Sequence, residues 1–226
     1  MSHRHLVIVG AADAQLAVLH GFVQSQPADL DISFVWPHEH AVCASMVPNL
    51  VTGHYNRIDC SINLARLLAG SRIRHITAAV ARVHAATQTL ELGNGVQIPY
   101  DWLCAPTLEA DMRDALEAQM PGARKHALFM HPIEGFARMW PQVAEHARER
   151  GMHICVVGAG ALGVSLALAM QAALPRSRVS LVAGKHALLQ AYPKAAQRCA
   201  NAALKRLGIT VVQESCVGIG DRKSVV

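Results

Sequence analysis

Apolar residues in this chain fall into short blocks followed by longer ones. Residues 6–9 (LVIV) and 154–157 (ICVV) are β-rich and short enough for strands. Each leads through a small-residue turn into a longer apolar stretch, ending near Phe22 in the first case and Met170 in the second. A further strand-like run follows each: residues 31–37 (DISFVWP) and 178–182 (RVSLV). Between residues 154 and 174 the only polar side chains are Ser165 and Gln171, and Arg148, Arg150, Arg176 and Arg178 flank the run. Hydropathy alone would make this a membrane span, which needs about 20 apolar residues. Three glycines clustered at one end, two valines ahead of them and the strand that follows argue against it. A strand buried on both faces beside an inward-facing helix gives the same hydropathy without lipid.

The turn of the second block reads Gly158, Gly160, Gly163. In a strand–turn–helix unit, the first glycine permits the bend, the second lets backbone amides approach a pyrophosphate, and the third lets helix and strand pack closely. The first-turn amides and helix dipole then face negative phosphates, with Ala161 and Leu162 in that first turn. The first block repeats the device in altered form: Gly10, Ala12, Gln15. Gly10 still permits the bend, Ala12 adds a methyl where a phosphate would approach, and Gln15 takes the helix-packing position. Both copies lack the acid that accepts hydrogen bonds from a ribose hydroxyl at the tip of the second strand. That position falls near Trp36 in one and Ala183 in the other. Lys185 and His186 beside Ala183 suit either a 2′-phosphate, hence NADPH, or a solvated basic loop.

Between the copies, residues 59–68 predict an amphipathic helix with Asp59 as N-cap. Short strands are expected at 74–83, 89–92 and 96–98, with a hairpin at Gly93-Asn94-Gly95, and a buried strand at 101–104. Residues 120–131, with Pro121-Gly122, read as the crossover between halves. Residues 133–150 read as helix, with Pro141 kinking it or starting a second one.

The chain has 226 residues and is 52% hydrophobic but only 4% aromatic, which suits an α/β core of Ala, Val, Leu and Ile. A net charge of +5 without a basic stripe interleaved with aromatics argues against nucleic acid. The six cysteines, at 43, 60, 104, 155, 199 and 216, include no CxxC or CxxxxC, so they read as reduced, mostly buried thiols. With no secretory signal at the start, the cytoplasm is expected. His38-Glu39-His40 has i,i+2 spacing and no further ligand nearby, so no metal site is assigned.

Two dinucleotide units separated by a small β-meander resemble the FAD-dependent pyridine nucleotide-disulfide oxidoreductase superfamily, in particular its type II NADH dehydrogenase-like branch. The resemblance runs through the initial VIVG, SMVPNLVTGHY (45–55), the INLARLL helix, LELGNGVQIPYDWL (90–103), HPIEGF, and VVGAGALGVSLALAM. It implies two Rossmann-like units of the FAD/NAD(P)-binding fold. FAD would lie near Gly10, Ala12, Ala14 and Trp36, with Met46, Val47 and Pro48 at the flavin. NAD(P)H would lie near Gly158, Gly160, Ala161, Leu162, Gly163, Ala183 and Lys185. It further implies hydride transfer from NAD(P)H to flavin, electrons passing to a quinone-like acceptor, a homodimer, and peripheral contact with the cytoplasmic membrane face. Without a CxxxxC pair the chain does not resemble the disulfide-reducing members, and Cys43 reads as filler beside the flavin.

The chain departs from that pattern in several places. Cys104-Ala105-Pro106-Thr107 replaces a Gly-Ser motif, and His131 stands where lysine is common. The family continues into a third segment that completes the FAD domain, so the C-terminal part is expected to be missing here and the chain itself to be inactive. The last six residues, DRKSVV, are what GAT-CGG-AAG-AGC-GTC-GTG encodes, a common sequencing-adapter read, so the natural sequence is expected to end near Gly220. The expected organisation is an FAD domain over residues 1–125, an NAD(P)H domain over 126–220, and a non-native tail over 221–226. The alternative is a non-catalytic NAD(P)- or ADP-ribose-binding module whose FAD site has eroded.

Overall fold

The computed structural model describes residues 4–106, 112–185 and 187–220; Thr107, His186 and the 221–226 tail lie outside the described residues. The chain divides into two compact units, Met1–Ala44 with Ser61–Leu108 and Ser45–Cys60 with Glu109–Val226.

In the first unit, β1 (Arg4–Val9) leads through Gly10 into α1 (Asp13–Ser25) and then β2 (Leu30–Val35). β3 (His40–Val42) pairs antiparallel with β4 (Ser61–Asn63), on either side of the excursion that carries α2 (Val47–Thr52). Then come α3 (Leu64–Leu68), β5 (Arg74–Ile76), the antiparallel meander β6 (Val80–His84), β7 (Thr89–Leu92) and β8 (Gln97–Pro99), and β9 (Trp102–Cys104). The main sheet is parallel, in the order β5-β2-β1-β9. Alternation along β1 sorts the core into two layers. Leu6 and Ile8 pack with Leu16, Leu19, Phe34 and Leu64 on the helical side. Val7 and Val9 pack with Val35, Leu90, Leu92 and Ile98 of the meander. Burial on both faces is why β1 reads as an unbroken apolar run.

In the second unit, α4 (Met112–Gln119), α5 (Ala123–His126) and α6 (Ile133–Arg150) precede β10 (His153–Val157), α7 (Ala161–Ala173), β11 (Arg178–Val182), α8 (Lys194–Arg206) and β12 (Thr210–Val212). The sheet is parallel in the order β10-β11-β12. Here α2 packs against α7 and α6, so Val47, Leu50 and Val51 are buried in this unit although the chain reaches it from β3.

The two units repeat each other at the level of single bonds. Gly10 N–H donates to Val35 O at 3.1 Å, and Gly158 N–H to Val182 O at 2.9 Å. Trp36 N–H donates to Ile76 O at 3.1 Å, and Ala183 N–H to Val212 O at 2.8 Å. At the opposite end of the strands, His5 Nε2 meets Ser33 Oγ at 2.9 Å and His153 Nε2 meets Ser180 Oγ at 2.7 Å.

Several local expectations are corrected. The 59–68 helix shrinks to α3, and its N-cap is Asn63, whose Oδ1 accepts from Arg66 N–H at 2.8 Å. Asp59 instead accepts from Asn56 N–H at 2.9 Å, closing a turn. The 74–83 strand is two strands in different sheets, because residues 77–79 turn the chain from the parallel sheet to the meander. β9 is half-exposed where a buried strand was expected, with the Trp102 ring under the Arg4 guanidinium at 5.0 Å. β10 is not buried on both faces: His153, Cys155 and Val157 are exposed. Only Cys60 of the six cysteines is buried. No second helix begins at Pro141, which lies inside the single helix α6. No helix among the described residues is long and apolar enough to cross a membrane.

Candidate functional site

Each glycine of the second turn has a different physical reason to be glycine. Gly158 has φ +128°, which side chains rarely adopt. A Cβ on Gly163 would lie 2.0 Å from Gly158 O, so any larger residue would force α7 off the turn. Gly160 needs neither allowance: its φ of −73° suits any residue, and a Cβ there would meet nothing within 4 Å. The chain gives no internal reason for glycine at this position. It leaves open space at the N-terminus of α7, a 13-residue helix with no side-chain cap on its first-turn amides.

A cleft of about 300 Å³ opens at the carboxyl ends of β10 and β11, lined by Ala159, Gly160, Ala183, Ala187 and the segment from Leu189 to Tyr192. Sequence reasoning missed the 187–192 stretch, which has no periodicity and no turn signature. Its one signal is a pair of leucines outside any strand or helix. Both are buried, and Leu189 is held at φ +53°, a costly conformation for its side chain. Three bonds hold it: Leu189 N–H donates to Ala159 O at 3.0 Å, and the Gln197 amide donates to Leu189 O at 3.2 Å and Tyr192 O at 3.0 Å. The far wall of the cleft is thereby tied to the glycine turn. The cleft matches the crevice where open α/β sheets bind ligands.

The first turn differs in detail. Ala12 is the N-cap of α1, exposed, with φ −69° and ψ 161° and no capping side chain. Gly10 has φ +83°, and a Cβ there would stand 3.1 Å from Pro106 Cγ. Asp13 occupies the first turn, where a phosphate would meet a carboxylate. Gln15, at the position of Gly163, is 7% exposed, and its Oε1 is buried without a hydrogen-bond partner. Trp36 ends β2 on the same side, but its indole N–H is taken by His40 O at 3.2 Å. Asp13 and burial both push the Cys43 thiol pKa up, burial the more strongly, so the thiol stays protonated and suits a packing role.

The expected site residues therefore form three groups. Gly10, Ala12, Ala14 and Trp36 share one end of the first unit's sheet. Gly158, Gly160, Ala161, Leu162, Gly163, Ala183 and Lys185 share the corresponding end of the second, with Lys185 exposed. Met46, Val47 and Pro48, at the start of α2, belong to the second unit, not to the group around Gly10. For a dinucleotide pyrophosphate, the second turn fits on all three glycine positions. The first fits at Gly10 and in its uncapped helix amides, and departs at Ala12, Asp13 and Gln15.

Solved structures share this fold. NDH2 from Plasmodium falciparum, in complex with NADH, superposes with a TM-score of 0.74 at 14% identity, covering 96% of this chain and 49% of its own. The sulfide:quinone oxidoreductase from Aquifex aeolicus gives 0.74 at 16%, covering 96% and 52%. The water-forming NADH oxidase from Lactobacillus brevis gives 0.65 at 14%, covering 96% and 48%. At such identities the likeness is one of fold, and the chain spans about half the length of these structures. No curated protein matches the sequence. The family model described as pyridine nucleotide-disulphide oxidoreductase matches residues 4–226, spanning both glycine turns, the meander and the cleft, and the chain belongs to that family.

Proposed function

We propose that the chain is part of a flavoprotein oxidoreductase that takes hydride from NAD(P)H and passes electrons to a small quinone-like acceptor. The observation that carries this reading is the open space at Gly160, beside a cleft at the carboxyl ends of β10 and β11. In it the pyrophosphate lies against the first-turn amides of α7, between Gly158 and Leu162, and the adenosine end lies toward Ala183 and the 187–192 wall. FAD would be held by the first unit, near Gly10, Ala12, Ala14 and Trp36. When bound, the two cofactors supply the redox chemistry; the chain's residues bind and orient them. The NADH complex of the Plasmodium NDH2 and the quinone in the name of the Aquifex enzyme support this reading.

A second reading has its own observation. The Asp13 carboxylate lies in the first helical turn, where the first unit would hold a pyrophosphate, and Gln15, with its Oε1 buried and unpartnered, replaces the helix-packing glycine. They favour a non-catalytic module that binds NAD(P)H or ADP-ribose through the second unit alone.

One preparation separates the two readings. A yellow full-length protein that oxidises NAD(P)H supports the flavoenzyme, and a colourless full-length protein that still binds ADP in calorimetry supports the module. In either case Gly160→Asp, which sets a carboxylate against the pyrophosphate, abolishes nucleotide binding. Unchanged affinity in that variant overturns the assigned site.

A further inference from the structure

We infer that the second unit selects the 2′-phosphorylated nucleotide, NADPH, over NADH. The inference rests on the nucleotide reading of the Gly158 turn and adds to it the choice of ribose substituent. A site selective for an unphosphorylated ribose places an acceptor, usually Asp or Glu, at the end of the second strand. Here β11 ends at Val182, and the next residue is Ala183, which lines the cleft. Between Glu149 and Glu214 the sequence holds no Asp or Glu at all, but eight Lys or Arg. The whole chain's net charge is only +5, so this stretch alone exceeds the total and the rest of the chain is net acidic. Glu214, the nearest carboxylate downstream, follows β12 beyond the far strand of the sheet and does not line the cleft.

A cation follows two residues after the position where the acid is missing. Lys185 is exposed, and both Ala183 before it and Ala187 after it line the cleft, so it lies in the chain between two lining residues. Gly184, with φ +68°, turns the chain between the strand end and the lysine. The Gln197 clamp on Leu189 and Tyr192 holds the far side of the same loop. An unmodified ribose finds no carboxylate acceptor along this stretch. A 2′-phosphate finds an ammonium group and no opposing negative charge, the setting in which charge-assisted hydrogen bonds are strongest.

Calorimetry with ADP, NADH and NADPH on the purified chain tests this. NADPH is expected to bind about tenfold tighter than NADH, as one charge-assisted phosphate contact supplies. Lys185→Glu brings the ratio of the two affinities to one or below. Ala183→Asp, which restores the missing acceptor, turns the preference toward NADH. Equal affinities in the unaltered chain, or an unchanged ratio in Lys185→Glu, overturn the inference while ADP binding still upholds the site. Absence of ADP binding overturns the site, and the inference with it.

Discussion

Two helix N-caps, Ala12 and Gly160, have nearly the same backbone conformation, with φ −69° and ψ 161° in one and φ −73° and ψ 176° in the other. Neither has a side chain that caps its helix, so first-turn amides of α1 and α7 are left without side-chain partners. Elsewhere the chain does cap, at Asn63 on α3. An uncapped helix lacks a favourable contact, and the deficit is informative where a ligand supplies the acceptor instead. Stability and binding should therefore move in opposite directions. Ala12→Ser is expected to raise the stability of the first unit by about 0.5–2 kcal/mol, since serine accepts from the helix amides. Gly160→Asp should hold or raise the stability of the ligand-free second unit by roughly 0.3 kcal/mol, because glycine is already a fair cap, while abolishing nucleotide binding. Urea unfolding of each variant, read beside calorimetry, checks both. A Gly160→Asp variant that loses binding because it unfolds would remove the argument that this glycine serves a ligand.

At the scale of elements, the sequence made the two strand–turn–helix units legible because their signal is local: period, glycine spacing and a following strand. The same locality explains the failures. Asp59 looks like an N-cap in one dimension, but its carboxylate closes the turn at Asn56 and the helix waits for Asn63. The apolar β10 suggests burial on both faces, yet its exposed side is set by which layers lie over the sheet. The 187–192 wall was invisible because it depends on a bond to Ala159, far along the chain, and on the amide of Gln197 in the helix that follows it. Glu117 of α4 is another case, since its carboxylate accepts from Gly122 N–H at 2.8 Å and Arg124 N–H at 2.7 Å. These two backbone bonds are the main cause that holds its pKa below the ordinary carboxylate value. The contribution to stability is therefore present above the unfolded pKa and is lost as pH falls through the lower folded one. Glu117→Gln should flatten the acid limb of the stability profile below about pH 4, the ordinary glutamate range. Thermal unfolding measured between neutral and acid pH checks it; an unchanged acid limb would show that the corner between α4 and α5 does not depend on this carboxylate.

At the scale of the whole molecule, the two units repeat one strand–turn–helix–strand scheme and differ at their turns. The second unit keeps all three glycines, an open cleft and an uninterrupted run of positive charge. The first keeps its fold down to the His5–Ser33 pair but carries Ala12, Asp13 and Gln15 at its turn. A buried, unpaired amide oxygen costs about 1–3 kcal/mol, so Gln15 is retained at an expense that its counterpart Gly163 avoids. A ligand that binds only the folded state stabilises it by about 2.7 kcal/mol at a hundred times its dissociation constant. If only the second turn holds a nucleotide, that protection should be confined to the element pairs around it. Hydrogen exchange with saturating NADPH is expected to slow in β10, α7 and β11 and to stay unchanged in β1, α1 and β2. Addition of FAD then tests the first unit: slowed exchange in β1 and α1 supports the flavoenzyme and counts against a module with an eroded FAD site. Slowing by NADPH at β1 and α1, without change at β10 and α7, would place the nucleotide in the wrong half and overturn the assignment of both.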